Sequence, residues 1–88
     1  MKVEFRESFL KDLRPVRDKT LRQRIKKIIE SVEIAETTES IAGCKKLRGH
    51  QDYFRIRLGD YRFGLKIENE IVYFIRFLHR REIYRFFP

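Results

Sequence analysis

Cationic side chains recur through the C-terminal half of the chain at Arg55, Arg57, Arg62, Lys66, Arg76, Arg80 and Arg81, with tyrosines at Tyr53 and Tyr84. A guanidinium presents a rigid fork of donors that matches phosphate oxygens two at a time, and an aromatic ring offers a base a stacking platform. Contact with a polyanion, and stabilisation of charge building on a phosphate, is the chemistry these residue types suit. Their spacing sharpens the point. Along Tyr53-Phe54-Arg55-Ile56-Arg57-Leu58 apolar residues alternate strictly with cationic or aromatic ones. A pleated strand sends successive side chains to opposite faces. One face then holds Phe54, Ile56 and Leu58, and the other holds Tyr53, Arg55 and Arg57.

After Gly59-Asp60 the pattern resumes, with Tyr61, Phe63, Leu65 and Ile67 inward and Arg62 and Lys66 outward. In the next run Ile71, Tyr73, Ile75 and Phe77 are the expected core-facing set, which sends Arg76 to the cationic face. Five cations on one small face repel each other and call for an anion. The plain alternative is that several of them pair across strands with Asp52, Asp60, Glu68 or Glu82.

His79-Arg80-Arg81-Glu82-Ile83-Tyr84 falls where the last strand enters a closing turn, a place that fixes the backbone and leaves side-chain tips free. Imidazoles titrate near neutral pH, so His79 is a candidate acid or base. Its alternative is a structural hydrogen bond, and that of Tyr84 is an ordinary place at the edge of the core. His50, beside a turn glycine, reads as solvated. Cys44 stands alone, which excludes an intrachain disulfide, suits an intracellular chain and reads as a small buried filler. One Cys and two distant His match no zinc spacing, and no glycine-rich phosphate loop occurs, so neither metal nor cofactor is expected.

The elements that must position these residues follow from periodicity. Val3 to Phe5 suits a short first strand. A brief helix opening at Glu7 or Ser8 turns Phe9, Leu10 and Leu13 one way until Pro15 interrupts it. A second helix is expected from about Val16 to about Glu36, because Leu21, Ile25, Ile28, Ile29, Val32 and Ala35 form one apolar stripe. Short strands follow at Lys45 to Arg48, Tyr53 to Leu58, Tyr61 to Glu68 and Ile71 to Leu78, then a terminal helical turn from Arg81 to Phe87. Gly59-Asp60 suits a type II′ hairpin turn. The expected fold is α+β: residues 1–88 as one domain, two N-terminal helices on one face of a four- to five-stranded, mainly antiparallel twisted sheet, and the arginine face left open.

With 88 residues, 42% hydrophobic content and a formal net charge of +8, the chain can bury one modest core and should seek a polyanionic partner, nucleic acid or an acidic protein. The N-terminal segment is charged and short, unlike a signal peptide, and no apolar run reaches the ~18 residues of a membrane span. A cytoplasmic protein is the expectation.

Lys46-Leu47-Arg48-Gly49, Tyr53-Phe54-Arg55-Ile56-Arg57, Gly59-Asp60-Tyr61-Arg62 and His79-Arg80-Arg81-Glu82-Ile83-Tyr84, in that order behind a helical pair, resemble the RelE branch of the RelE/ParE superfamily of type II toxin–antitoxin toxins. The resemblance spans essentially the whole chain. It implies a ribosome-dependent endoribonuclease that cleaves messenger RNA in the A site by 2′-hydroxyl attack and so inhibits translation. It also implies a cognate antitoxin as partner, in a complex expected to reach operator DNA through the antitoxin. Carried over residue by residue, it assigns catalysis to Arg57, Arg62, Arg80 and Tyr84, with His79 as the candidate base. RNA contact falls to Lys46, Arg48, Arg55, Lys66, Arg76 and Arg81. The best-known RelE pattern has lysines where this chain has Arg55 and Arg57. An arginine cannot give up its proton, so Arg57 is expected to stabilise the phosphorane rather than act as base. Two other functions fit a basic chain of this kind, a ParE-like inhibitor of DNA gyrase and a non-catalytic nucleic-acid-binding module.

Overall fold

A sheet with one apolar and one cationic face must cover the first and can expose the second, and the computed structural model, which describes residues 1–88, has that design. In chain order the elements are β1 (Lys2–Phe5), α1 (Glu7–Leu13), α2 (Lys19–Ile34), a 3₁₀ turn (Thr38–Ser40), β2 (Cys44–Lys46), β3 (Tyr53–Leu58), β4 (Tyr61–Glu68), β5 (Ile71–His79) and α3 (Ile83–Phe86). The strands form one sheet in the order β1-β5-β4-β3-β2. β1 runs parallel to β5, and every other pairing is antiparallel. The class is α+β with a mixed, mainly antiparallel sheet.

Helix α2 starts at Lys19 rather than near Val16. The Asp18 carboxylate accepts from Leu21 N at 3.0 Å and caps the first turn. Asp18 itself is extended, Arg14 and Pro15 form a turn that Val16 N closes on the Leu13 carbonyl, and Arg22 Nε donates back to the Val16 carbonyl. Ile25, Val32 and Ala35 of the apolar stripe are buried together with Phe9 of α1 and with Ile56, Leu58, Phe63, Leu65 and Ile67 of the sheet. Phe9 is fully buried, its ring 5.3 Å from that of Phe74 and 6.1 Å from that of Phe63. Burying one such ring contributes roughly 1.5–3 kcal/mol.

On β5 the expected inward set is corrected. Val72, Phe74 and Phe77 are buried, whereas Ile71, Tyr73 and Ile75 are not. The β4–β5 loop has two residues, Asn69 and Glu70, so Glu68 pairs with Ile71 and inward Ile67 pairs with Val72. A register shift then breaks the ladder: Leu65 pairs with Phe74 but Gly64 with Arg76. Ile75 is the extra residue of this bulge, and its insertion returns Phe77 to the core face. Nearly every position of β5 is apolar, so alternation carries no polarity there and the turn sets the register.

Beyond Phe5, β1 ends and α1 takes over the edge of β5. Arg6 N donates to the Phe74 carbonyl at 2.9 Å, Ser8 Oγ to the Ile75 carbonyl at 2.6 Å, and Phe77 N to Asp12 Oδ2 at 2.9 Å. A sheet edge that would otherwise offer free donors and acceptors is thereby satisfied.

The second sheet face is only partly open. Helix α3 and the residue after it lie across it, and Ile83 and Phe87 are buried there, apart from the helix-side cluster. Gly64 makes this possible: a Cβ at that position would stand 2.8 Å from carbons of the Phe87 ring. Cys44 packs against the helix-side core. Burial pushes its thiol from 9.0 up to about 11, with the Arg55 charge pulling the other way. The unfolded thiol ionises first, so the folded state should lose relative stability as pH climbs from 9.0 towards about 11. Iodoacetamide at pH 8 should accordingly alkylate Cys44 in denatured protein much faster than in native protein. Equal rates would contradict its burial.

Both central residues of the β4–β5 turn have positive φ, 53° at Asn69 and 63° at Glu70, the geometry of a type I′ turn. In the β3–β4 turn Gly59 alone is positive, at 57°, as type II′ requires. Asn tolerates this region and Glu does not. Glu70→Gly should therefore raise stability by about 1 kcal/mol. An unchanged or lowered denaturation midpoint would show that the turn carries no such strain.

Candidate functional site

Strand pairing aligns the cationic residues into rows. Lys45, Arg55, Gly64 and Arg76 form one, Arg57, Arg62 and Leu78 the next, and Tyr53, Lys66 and Tyr73 a third. Arg57 and Arg62 stand directly opposite across β3 and β4, an arrangement of like charges that a sheet resists. The Arg62 side chain is held over the β3–β4 turn, with Nη1 donating to the Gly59 carbonyl at 2.7 Å and the Tyr61 carbonyl at 2.8 Å. Loss of solvent, followed by the like charge of Arg57 and then of Arg55 and Arg80, pushes this guanidinium below the ordinary arginine range. Tyr84 acts in the opposite sense. The groups that bear on Arg62 thus come from β3, from the turn after β5 and from α3.

No carboxylate lies within 4.0 Å of Arg55, Arg57 or Arg62. Arg55 is only 9% exposed, and a charge so buried without a counter-ion is costly. Arg80 Nε stands 3.8 Å from Asp60 with both side chains exposed, a pairing worth little. Lys66 lies 3.9 Å from Glu68 and over the Tyr53 ring. Lys46, Arg48 and Arg81 are exposed. Beside the arginine cluster a cleft of about 400 Å³ opens between the β2–β3 loop and the C-terminal segment, lined by Lys45, Arg48, His50, Arg55, Tyr84 and Phe87.

Two candidates lie elsewhere. Arg76 was expected to add a free cation to this face, but it forms a two-point pair with Asp12 of α1, Nε to Oδ2 at 2.8 Å and Nη2 to Oδ1 at 3.0 Å. That hydrogen bonding raises its pKa and leaves its charge matched within the chain. Asp12 is 64 residues away in sequence, which hides the pair from any local reading. His79, the candidate base, shares a row with Leu58 and Tyr61 on the helix-side face, one step out of phase with Arg57 and Arg62. It lines a separate cavity with Asp18, Leu21 and Tyr61. The imidazole that does border the cationic face is His50, which lines the cleft rather than standing free in solvent. Its nearness to Arg48 was the one available signal. No three His, Cys, Asp or Glu side chains gather as metal ligands, and no helix is long and apolar enough to cross a membrane.

Comparison with known proteins agrees with this architecture. Residues 3–84 match the family described as the ParE toxin of the type II toxin–antitoxin system parDE. Over 89 aligned residues, covering all of both chains, the sequence is 40% identical to toxin RelE3 of Methanocaldococcus jannaschii. The toxin of the RelB–RelE complex from Methanococcus jannaschii superposes with a TM-score of 0.79 at 38% identity, covering 96% of this chain and 98% of that one. The RelBE complex of E. coli gives a TM-score of 0.55 at 28% identity, covering 88% and 97% respectively.

Because Phe87 rests on Gly64, the wall of the cleft depends on a missing side chain. Gly64→Ala should lower stability by about 1–3 kcal/mol through overpacking. It should also free the C-terminal segment, read as faster chymotryptic cleavage after Tyr84 or Phe86. Unchanged stability and protease resistance would mean that the tail does not need this contact.

Proposed function

The chain belongs to the RelE/ParE superfamily of type II toxin–antitoxin toxins, and from that premise we propose that it is a ribosome-dependent endoribonuclease that cleaves messenger RNA in the A site. One observation carries the reading. Arg55, Arg57 and Arg62 converge on one sheet face with no carboxylate partner, next to Arg80 and Tyr84. Such a cluster is costly alone and stabilising around a phosphate.

In the reaction the 2′-oxygen attacks the adjacent phosphorus, the bond to the 5′-oxygen breaks, and that oxygen leaves by taking a proton from solvent. Negative charge grows on the two non-bridging oxygens. Arg62, already oriented by two carbonyls, and Arg80 stabilise that charge as it develops, which lowers the barrier more than it tightens substrate binding. Arg57 adds to the field, and Tyr84 orients the substrate by stacking on a base. Arg48, Arg55, Lys46, Lys66 and Arg81 hold the flanking backbone. An arginine cannot accept the 2′-hydroxyl proton, so the acceptor is either His50, the one imidazole on this face, or a group that the ribosome supplies. An antitoxin with an acidic or amphipathic segment would neutralise the same face, as expected of the toxin half of such a pair.

The family description of the matched toxins as ParE keeps a second reading in play, inhibition of DNA gyrase without nuclease chemistry. One experiment separates the two. Primer extension on messenger RNA after induced expression should show discrete cuts, whereas growth arrest with intact messenger RNA would favour gyrase. In single-turnover cleavage on saturating ribosomes, Arg62→Ala and Arg80→Ala should each slow the reaction about 10²–10³-fold while ribosome binding changes far less. Parental rates in both variants and in Tyr84→Ala would exclude this site.

A further inference from the structure

His79 has no place on the arginine face, yet its ring nitrogen is engaged. Three hydrogen bonds converge on the turn that follows β5. Arg81 N donates to His79 Nδ1 at 3.1 Å, Glu82 N to the His79 carbonyl at 2.8 Å, and Arg80 N to the Asp60 carbonyl at 2.7 Å. The first two make the pattern in which a side-chain acceptor on the first residue of a turn takes the amide two residues on, a role usually filled by Asp or Asn. Tyr61 stands edge-on to the imidazole, ring centres 5.7 Å apart, and fixes its orientation.

The turn so held has two outputs. Arg80 is tied to the β3–β4 turn, where the Gly59 carbonyl also receives Arg62. Glu82 closes the turn, and α3 begins directly after it, carrying Tyr84. Buried Ile83 and Phe87 hold α3 and the residues after it on the sheet, and the 79–82 turn sets how that segment enters beside the arginine cluster.

We infer that His79 is a positioning residue: its unprotonated Nδ1 holds the 79–82 turn in the geometry that sets Arg80 and Tyr84 against Arg62. The inference rests on reading those three residues as the cleavage site. A nitrogen that accepts from Arg81 cannot carry a proton of its own. Protonation would aim one N–H at another and loosen the turn. The imidazole also lines a cavity with Asp12, Arg17, Asp18 and Glu82, none of which bonds to it. His79 would thus act on cleavage through the turn it holds, without ever meeting the substrate.

His79→Ala and His79→Asn in the full chain test this. The Asn side-chain oxygen falls where Nδ1 does and accepts the same bond. His79→Ala should slow single-turnover cleavage on ribosomes roughly tenfold to hundredfold, the scale of a catalytic group displaced by about an ångström. His79→Asn should stay near the parental rate. In NMR spectra the Arg81 amide and the Tyr84 ring resonances should move in His79→Ala and stay in place in His79→Asn. Equal, severe loss in both variants with folded spectra would overturn the inference and return His79 to proton transfer. A parental rate together with parental resonances in His79→Ala would overturn it as well. Should the parent cut no messenger RNA, the proposed activity fails, and the resonances of Arg81 and Tyr84 decide the role of His79 alone. If His79→Ala does not fold, His79→Asn still decides it, since a parental rate with parental Arg81 and Tyr84 resonances supports the inference and a severe loss in a folded protein overturns it.

Discussion

The register between β4 and β5 governs most of this molecule. A two-residue turn places Ile67 against Val72, and a bulge at Ile75 corrects the phase so that Phe63 meets Phe77. A slip of one residue would carry Phe74 and Phe77 to the cationic face and Arg76 into the core, at a cost no short sheet can bear. The same register assigns His79 to the helix side and leaves Arg57 and Arg62 opposed on the other. Core, edge and site are thus one decision, taken where the chain adopts two left-handed residues at Asn69 and Glu70.

Given that register, the two faces divide the work. The helix side is stabilised by packed rings, with Phe9, Phe63 and Phe74 in mutual contact and Phe77 against Phe63. The other face carries like charges held close without compensation, a local destabilisation that the aromatic core offsets. Strain of this kind belongs where a ligand is meant to relieve it. A phosphate and an acidic protein segment are the two kinds of ligand that would relieve this repulsion.

Asp12 shows how selectively the charge is distributed. Its carboxylate accepts from Arg76 at two points and from the Phe77 amide. It therefore anchors α1 to the edge of β5 and removes one cation from the repulsive set. Its neutralising effect stops there, because none of the chain's acidic side chains reaches Arg55, Arg57 or Arg62. The C-terminal segment completes the face from above, seated on Gly64 through Phe87, so the cleft is built jointly by the second strand pair and the last residues of the chain.

Read alone, the sequence determined the α+β class, the apolar stripe of α2, the alternation of β3 and β4 and the gathering of Arg55, Arg57 and Arg62 on one side. These follow from periods of 3.6 and 2 residues and from turn residues, all of which are local. Tertiary structure alone decided the rest. Alternation says nothing on β5, where nearly every residue is apolar, so the inward set came from pairing and a bulge. The partner of Arg76 lies 64 residues away, beyond the reach of any local pattern. The position of Phe87 over Gly64 depends on a space between distant segments, and so does the cleft that brings His50 beside Arg55 and Tyr84. His79 and Arg80 are adjacent in sequence yet serve opposite faces, because a strand end followed by a turn separates neighbours that spacing would have grouped.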